Sequence, residues 1–168
     1  KIIYKLKAQK IIIPIRNWVY IVPEKWDMDL NEIDLIEKYF YRLLKKYITY
    51  NCRSEYYISW NKALEIHLKN FWIPEKITVV NRNISKKVMI WNYEVIFKKI
   101  SGSTKTKKEN LYSRFSKMTT TVTIDDIWFK ISNLELALLE SCTIWDNEIW
   151  VDILLVNKAL KKYSKFFN

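Results

Sequence analysis

The stretch Tyr56–Val80, YYISWNKALEIHLKNFWIPEKITVV, decides the fold. It reads as a short strand (YYI), a capped helix, a helix stop and a second strand (ITVV). Ser59 is the expected N-cap, because its hydroxyl can accept from a backbone N–H of the first turn. Ala63, Leu64, Ile66 and Leu68 supply the apolar faces of the helix. Ile73-Pro74 closes it, since Pro cannot continue a helix. The remainder reads as a sheet built around this unit, with a basic arm in front.

Outward from this unit, the pattern predicts a helix over Asp29–Tyr47. Asp29 and Glu32 have capping-box spacing, Ile33, Ile36, Phe40, Leu43, Leu44 and Tyr47 recur at helical intervals, and Lys45 and Lys46 suit the carbonyl end. Val88–Ile90 and Tyr93–Ile100 read as strands. Thr119–Ile124 and Phe129–Ile131 flank Asp125-Asp126 as a hairpin. Ser132 is the expected cap of a helix, with Glu135 as its capping-box partner. Trp150–Leu155 reads as a last strand or an irregular segment, and Asn157–Phe167 as a basic terminal helix. Ser101–Asn110, SGSTKTKKEN, is the best candidate for a loop. No internal repeat is visible. The fold class is α+β.

Hydrophobic residues make up 49% of the 168, enough for a packed core in one domain of ordinary size or one domain plus a small attachment. No apolar run approaches bilayer-spanning length, and a cytoplasmic protein is the default expectation. Cys52 and Cys142 are far apart, outside any CxxC or Cys/His cluster, so neither a disulfide framework nor a zinc site is expected. No cofactor is implied. His67, the one histidine, is read as a packed residue, because no nucleophile or carboxylate shares its helical face. Glu94 and Lys98 lie on one strand face and read as partners in cross-strand ion pairs.

The net charge of +11 is unevenly placed. Residues 1–25 carry six basic and one acidic side chain; residues 98–118 carry seven and one; residues 119–152 carry one and seven. A basic arm and a basic loop beside an acidic segment point to anionic partners at defined places. A solvated Lys-rich surface encoded by an AT-rich genome would give the same totals, so charge alone does not choose.

The front of the chain is more specific. Lys1–Gln9 can form a short basic helix, with Ile2, Ile3 and Leu6 on one side and Lys1, Tyr4 and Lys5 on another. Lys10–Pro23 reads as a β-hairpin with its corner at Asn17-Trp18. A helix followed by a two-stranded ribbon is the second half of a winged helix-turn-helix, whose first two helices are expected upstream of Lys1. Residues 1–25 are thus read as the C-terminal part of a DNA-binding domain, and 26–168 as a mixed-sheet domain. Lys1, Tyr4, Lys5, Lys7, Lys10, Arg16 and Asn17 are the candidate nucleic-acid contacts. Lysines neutralise phosphates, and an Arg on a wing suits the negative minor groove. Lys105, Lys107 and Lys108 are a possible second basic contact. That loop lacks the Lys-Ser/Thr ending of a P-loop.

Three segments resemble the AbiEi-type antitoxins, transcriptional regulators of abortive-infection toxin–antitoxin pairs. IIIPIRNWVYIVP resembles that family's wing, built on an Arg-x-Gly-Val/Leu-Tyr core with a following Pro. YYISWNKALEIHL resembles its tyrosine–Ser…Ala-Leu helix start. ISNLELALLES resembles its late helix opening. The resemblance implies a non-enzymatic repressor that binds operator repeats in double-stranded DNA and counters a nucleotidyltransferase-like toxin. The alternatives are a nuclease or nucleotidyltransferase, which needs two or more carboxylates converging on one pocket with a basic residue, and a non-catalytic protein-interaction module.

The chain has one Gly and eight Trp, where average usage would give roughly 12 Gly at about 7%. Trp18 stands where a hairpin wants Gly, Trp72 where a helix stop does, and Trp91 precedes Asn92 at a strand entry. Trp26 and Trp145 precede Asp in turn-like surroundings, and Trp128 follows Asp-Asp-Ile at a strand junction. Trp is poorly suited to positions needing positive φ. A stop codon reassigned to Gly but read as Trp would leave this pattern. The opposing reading is an aromatic-rich protein whose Trp residues fill cores or line a binding face. The gene decides between them: reassigned stop codons at these positions are expected, and ordinary UGG codons at all eight would refute the reading.

Overall fold

The computed structural model describes residues 2–9, 11–16, 19–100, 110–142 and 152–166. The chain is α+β, and its centre is a six-stranded mixed sheet. In chain order the elements are α1 (Ile2–Ala8), β1 (Ile13–Arg16), β2 (Val19–Ile21), α2 (Glu32–Cys52), β3 (Tyr56–Ser59), α3 (Trp60–His67), β4 (Lys76–Asn81), β5 (Lys86–Ile90) and β6 (Tyr93–Lys99). They continue with α4 (Leu111–Phe115), β7 (Thr119–Ile124), β8 (Ile127–Ser132), α5 (Leu134–Cys142) and α6 (Ile153–Tyr163). The large sheet has the order β5-β6-β4-β3-β8-β7, and β1 and β2 form a separate ribbon. Among the described residues no helix is long and apolar enough to cross a membrane.

The Tyr56–Val80 unit sits at the middle of this sheet, as its sequence predicts. β3 pairs antiparallel with β4 and parallel with β8. Its residues alternate between two cores, as strand geometry requires. Tyr56 and Ile58 join Val79, Phe97, Phe129 and Ile131 beneath α2. Tyr57 faces the other way, with Val80, Tyr112 and Leu136. On that second side α3, α5 and α6 pack through Ala63, Leu64, Ala137, Val156 and Ala159. On the first, α2 contributes Phe40, Leu44 and Ile48, all fully buried. Each such side chain contributes about 1.5–3 kcal/mol.

The helix boundaries correct several sequence readings. Asn31, not Asp29, caps α2: its side chain accepts from the Asp34 N–H at 3.0 Å. The helix runs past Tyr47 to Cys52, because Ile48 and Cys52 extend its buried stripe. Ile33 is outside that stripe and 69% exposed. Asn133, not Ser132, caps α5 by accepting from Leu136 N–H at 2.9 Å. Residues 153–155 are the first turn of α6, capped by Asp152, rather than a strand. α3 ends at His67, and Lys69 takes the left-handed position (φ 66°), so the stop precedes both Trp72 and Pro74.

Ser59 makes no capping bond. Its hydroxyl is drawn instead to Glu140 of α5, which is only 4% exposed. Tyr57 also donates to this carboxyl, at 3.0 Å, and the Trp60 N–H and the Ser132 hydroxyl complete the shell. Ser59 and Ser132 end the two parallel strands β3 and β8, each directly after the paired Ile58 and Ile131. Each strand leads into a helix, β3 into α3 and β8 into α5, and both strands end on Ile-Ser.

Positive φ angles test the tryptophan reading. Trp91 (φ 51°) is at the first central position of the β5–β6 turn, the place that Gly takes in a II′ hairpin turn. Its indole N–H is buried with no hydrogen-bond partner among the described residues. Trp60 (φ 53°), which the sequence did not single out, marks the β3–α3 junction but packs into the core at 3% exposure. Trp26, Trp72 and Trp128 do not have positive φ, and their exposures of 73%, 75% and 58% place them on the surface. Trp18 and Trp145 lie outside the described residues. At Asp125-Asp126 both residues have positive φ, as a two-residue I′ hairpin turn demands.

Burial pushes the Glu140 carboxyl up to about 7, against the opposing hydrogen bonds from Ser59 and Tyr57. The fold thus favours the protonated carboxyl. Its contribution is fully present below the ordinary glutamate value and is lost as pH rises to about 7, by on the order of 3 kcal/mol. Glu140→Gln has no such titration. Urea unfolding at pH 4.5 and pH 7 should therefore show the variant gaining about that much relative to wild type across the interval; a constant difference would refute this role.

Candidate nucleic-acid interface

α1 (IIYKLKA) carries Lys5 and Lys7 in its last turn, where cations complement the helix dipole. It buries no residue; Tyr4 is 79% exposed and Lys5 and Lys7 are also exposed. The Ile11 N–H donates to the Leu6 carbonyl at 2.9 Å and closes the end of the helix; β1 begins at Ile13. β1 and β2 pair antiparallel, with a register shift between Pro14 and Arg16. Ile15 and Ile21 are buried in the core beneath α2 and hold the ribbon against the body. The Lys7 ammonium lies 5.0 Å from the centre of the Tyr20 ring, which joins helix and ribbon at their outer side.

Of the seven predicted contacts, the structure brings Tyr4, Lys5 and Lys7 onto one exposed helix. It places Arg16 at the end of β1, opposite Val19. Lys1, Lys10, Asn17 and the Arg16 side chain lie outside the described residues, as do Lys105, Lys107 and Lys108.

A polar anchor that sequence reading missed fixes the segment after the ribbon. Asp27, 2% exposed, accepts from Lys38 and from the Tyr39 hydroxyl, both at 2.5 Å. Tyr39 accepts in turn from the Glu24 N–H at 3.1 Å. The Lys38 and Tyr39 hydrogen bonds hold the Asp27 carboxyl below the usual carboxylate range. Asp27 reads locally as a turn residue, and nothing in its neighbours announces two partners on a helix eleven and twelve residues on.

The body holds a second polar feature, a pocket of about 200 Å³ whose wall includes Ser59, Lys62, Glu65, Glu75 and Asp152. Lys62 is 2% exposed and reaches Glu65 at 3.2 Å and the Trp72 carbonyl at 2.5 Å. Burial lowers the Lys62 ammonium and raises the Glu65 carboxyl from their ordinary values. Carboxylates and a basic residue do converge here, as an enzyme would require. The Glu65 contact lies within α3, and the Trp72 carbonyl contact ties α3 to the approach to β4, which is a structural task. Among the described residues, no three His, Cys, Asp or Glu are grouped to hold a metal ion.

His67 is also structural. Its Nε2 is 2.9 Å from the Ser132 carbonyl, which can only accept, so Nε2 carries the proton and links α3 to β8. Cys52 is buried, and burial pushes its thiol up to about 11. Glu94 pairs across the sheet with Lys76 at 3.9 Å. No protein-family model matches the chain, and no curated protein matches it. The antitoxin resemblance stands on its three quoted segments.

If Asp27 and Tyr39 fix the ribbon's attachment, Tyr39→Phe leaves a buried carboxylate short of one donor. A loss of about 1–3 kcal/mol is expected in denaturant unfolding, together with faster amide exchange over residues 13–21. Unchanged exchange there would dissociate the anchor from the ribbon.

Proposed function

We propose that the protein is a DNA-binding transcriptional repressor, the antitoxin of a toxin–antitoxin operon whose toxin is nucleotidyltransferase-like. The observation that carries this reading is α1: a helix with no buried residue, presenting Tyr4, Lys5 and Lys7 and followed in the chain by a two-stranded ribbon. In a winged arrangement such a helix enters the major groove while the ribbon follows the backbone or the minor groove. Three features support it. The charge at this end is strongly basic. Ile15 and Ile21 bury the ribbon's inner side in the core of the body. The quoted segments resemble a family that works this way.

The second reading is an enzyme in the body, favoured by the Lys62–Glu65 pocket. It ranks lower because the Lys62 ammonium is already committed to Glu65 and to a backbone carbonyl.

The test is the salt dependence of DNA affinity. Each lost phosphate contact lowers the slope of log K against log salt by about 0.9. Replacing Lys5, Lys7 and Arg16 with Gln in the full chain should weaken binding to the operon's own upstream DNA and flatten the slope by about 2–3. Equal affinity and slope in wild type and variant would overturn the reading.

A further inference from the structure

Between β2 and α2 lies a groove of about 620 Å³ that neither the fold nor the proposed DNA contacts account for. Its walls are apolar and aromatic. Tyr20 and Val22 come from the ribbon side, Leu43 and Tyr50 from α2. Val22 is 69% and Tyr50 87% exposed, so the apolar lining opens to solvent. The volume falls in the range of sites for small organic ligands, which are apolar with a few placed polar groups. A groove floored by Leu and Tyr side chains suits an apolar ring better than a phosphodiester backbone.

The polar groups at the rim are cationic. Arg42 and Lys46 both line the groove and are exposed. They are one helical turn apart, so both heads can reach one anionic group. Glu24 also lines it and stands 3.8 Å from Arg42, with both side chains about half exposed. A pair so exposed is weak. Lys46 has no carboxylate within ion-pair distance among the described residues. Tyr50 follows one turn further along the same side of α2.

We propose that this groove binds a small planar aromatic anion, its ring lying between Tyr20 and Tyr50 and its carboxylate on Lys46 and Arg42. Charge complementarity sets the sign of the ligand: two cations face one acid that is already shared. The aromatic walls set its shape, because tyrosine faces favour stacked or edge-on rings. Such a ligand would touch the ribbon and α2 together and clamp one on the other. A consequence for DNA affinity rests on the function proposed above; the binding site itself does not.

The probe is naphthoate, compared with the uncharged naphthalene methanol, in calorimetric titrations of the full chain. Saturable binding of naphthoate is expected, with the alcohol weaker by about tenfold, the size of one charge-assisted hydrogen bond. Lys46→Gln should erase the preference for the anion, and Tyr50→Ala should weaken both probes. Both positions are exposed, and circular dichroism would verify that each variant folds. No saturable binding, or equal binding by wild type and both variants, overturns the proposal. So does sedimentation showing a dimer that Tyr50→Ala dissociates, which would assign the groove to a second copy of the chain. Titrating DNA with and without naphthoate separates the two ideas: naphthoate binding without any DNA binding sinks the repressor reading and keeps the site.

Discussion

A buried carboxyl group must be hydrogen-bonded, and the way Glu140 meets that demand sets much of this architecture. It lies at the end of α5, yet its partners are Tyr57 and Ser59 of β3, the Trp60 backbone and Ser132 of β8. Two adjacent parallel strands and the helices that follow them thus converge on one acid. Burial outweighs the hydrogen bonds from Ser59, Tyr57, the Trp60 N–H and Ser132 and raises the carboxyl's affinity for its proton. The sheet order around β3 follows: β8 is held parallel beside it by shared side chains as well as by the short ladder at Ile58 and Ile131.

The other end of the molecule uses a different device. The ribbon and the segment after it are joined to α2 by apolar burial of Ile15 and Ile21 and by the Asp27–Lys38–Tyr39 contacts. Here hydrogen bonds from Lys38 and Tyr39 outweigh burial and hold the carboxyl below the usual range, whereas at Glu140 burial is the larger cause.

The tryptophans divide by backbone and by packing. Trp91 combines a left-handed backbone with a buried, unpaired N–H, which is poor chemistry for an indole and good chemistry for Gly. Trp60 has the same backbone but fills the core beside Tyr57 and Leu136. Trp128 lies on β8 with the Lys45 ammonium 3.7 Å from its ring centre, an ordinary surface contact. The scarcity of Gly is therefore felt most sharply at one turn, and elsewhere non-glycine residues such as Lys69, Asp125 and Asp126 take the left-handed positions.

What the sequence by itself determined were the properties that depend on neighbours: the strand–helix–strand unit at Tyr56–Val80, the long helix, the β7–β8 hairpin and the ribbon after a basic helix. Period-two and helical repeats encode these within a dozen residues. Cap identities slipped by one or two positions, since Asn, Asp and Ser compete for the same N–H groups and only the final path of the chain selects one. Tertiary structure alone decided the order of the sheet, the parallel pairing of β3 with β8, the partners of Asp27 and Glu140, the Lys62 pocket and the groove beside α2. Each of these joins residues ten to more than eighty positions apart, and no local pattern records which distant side chain will satisfy a buried charge.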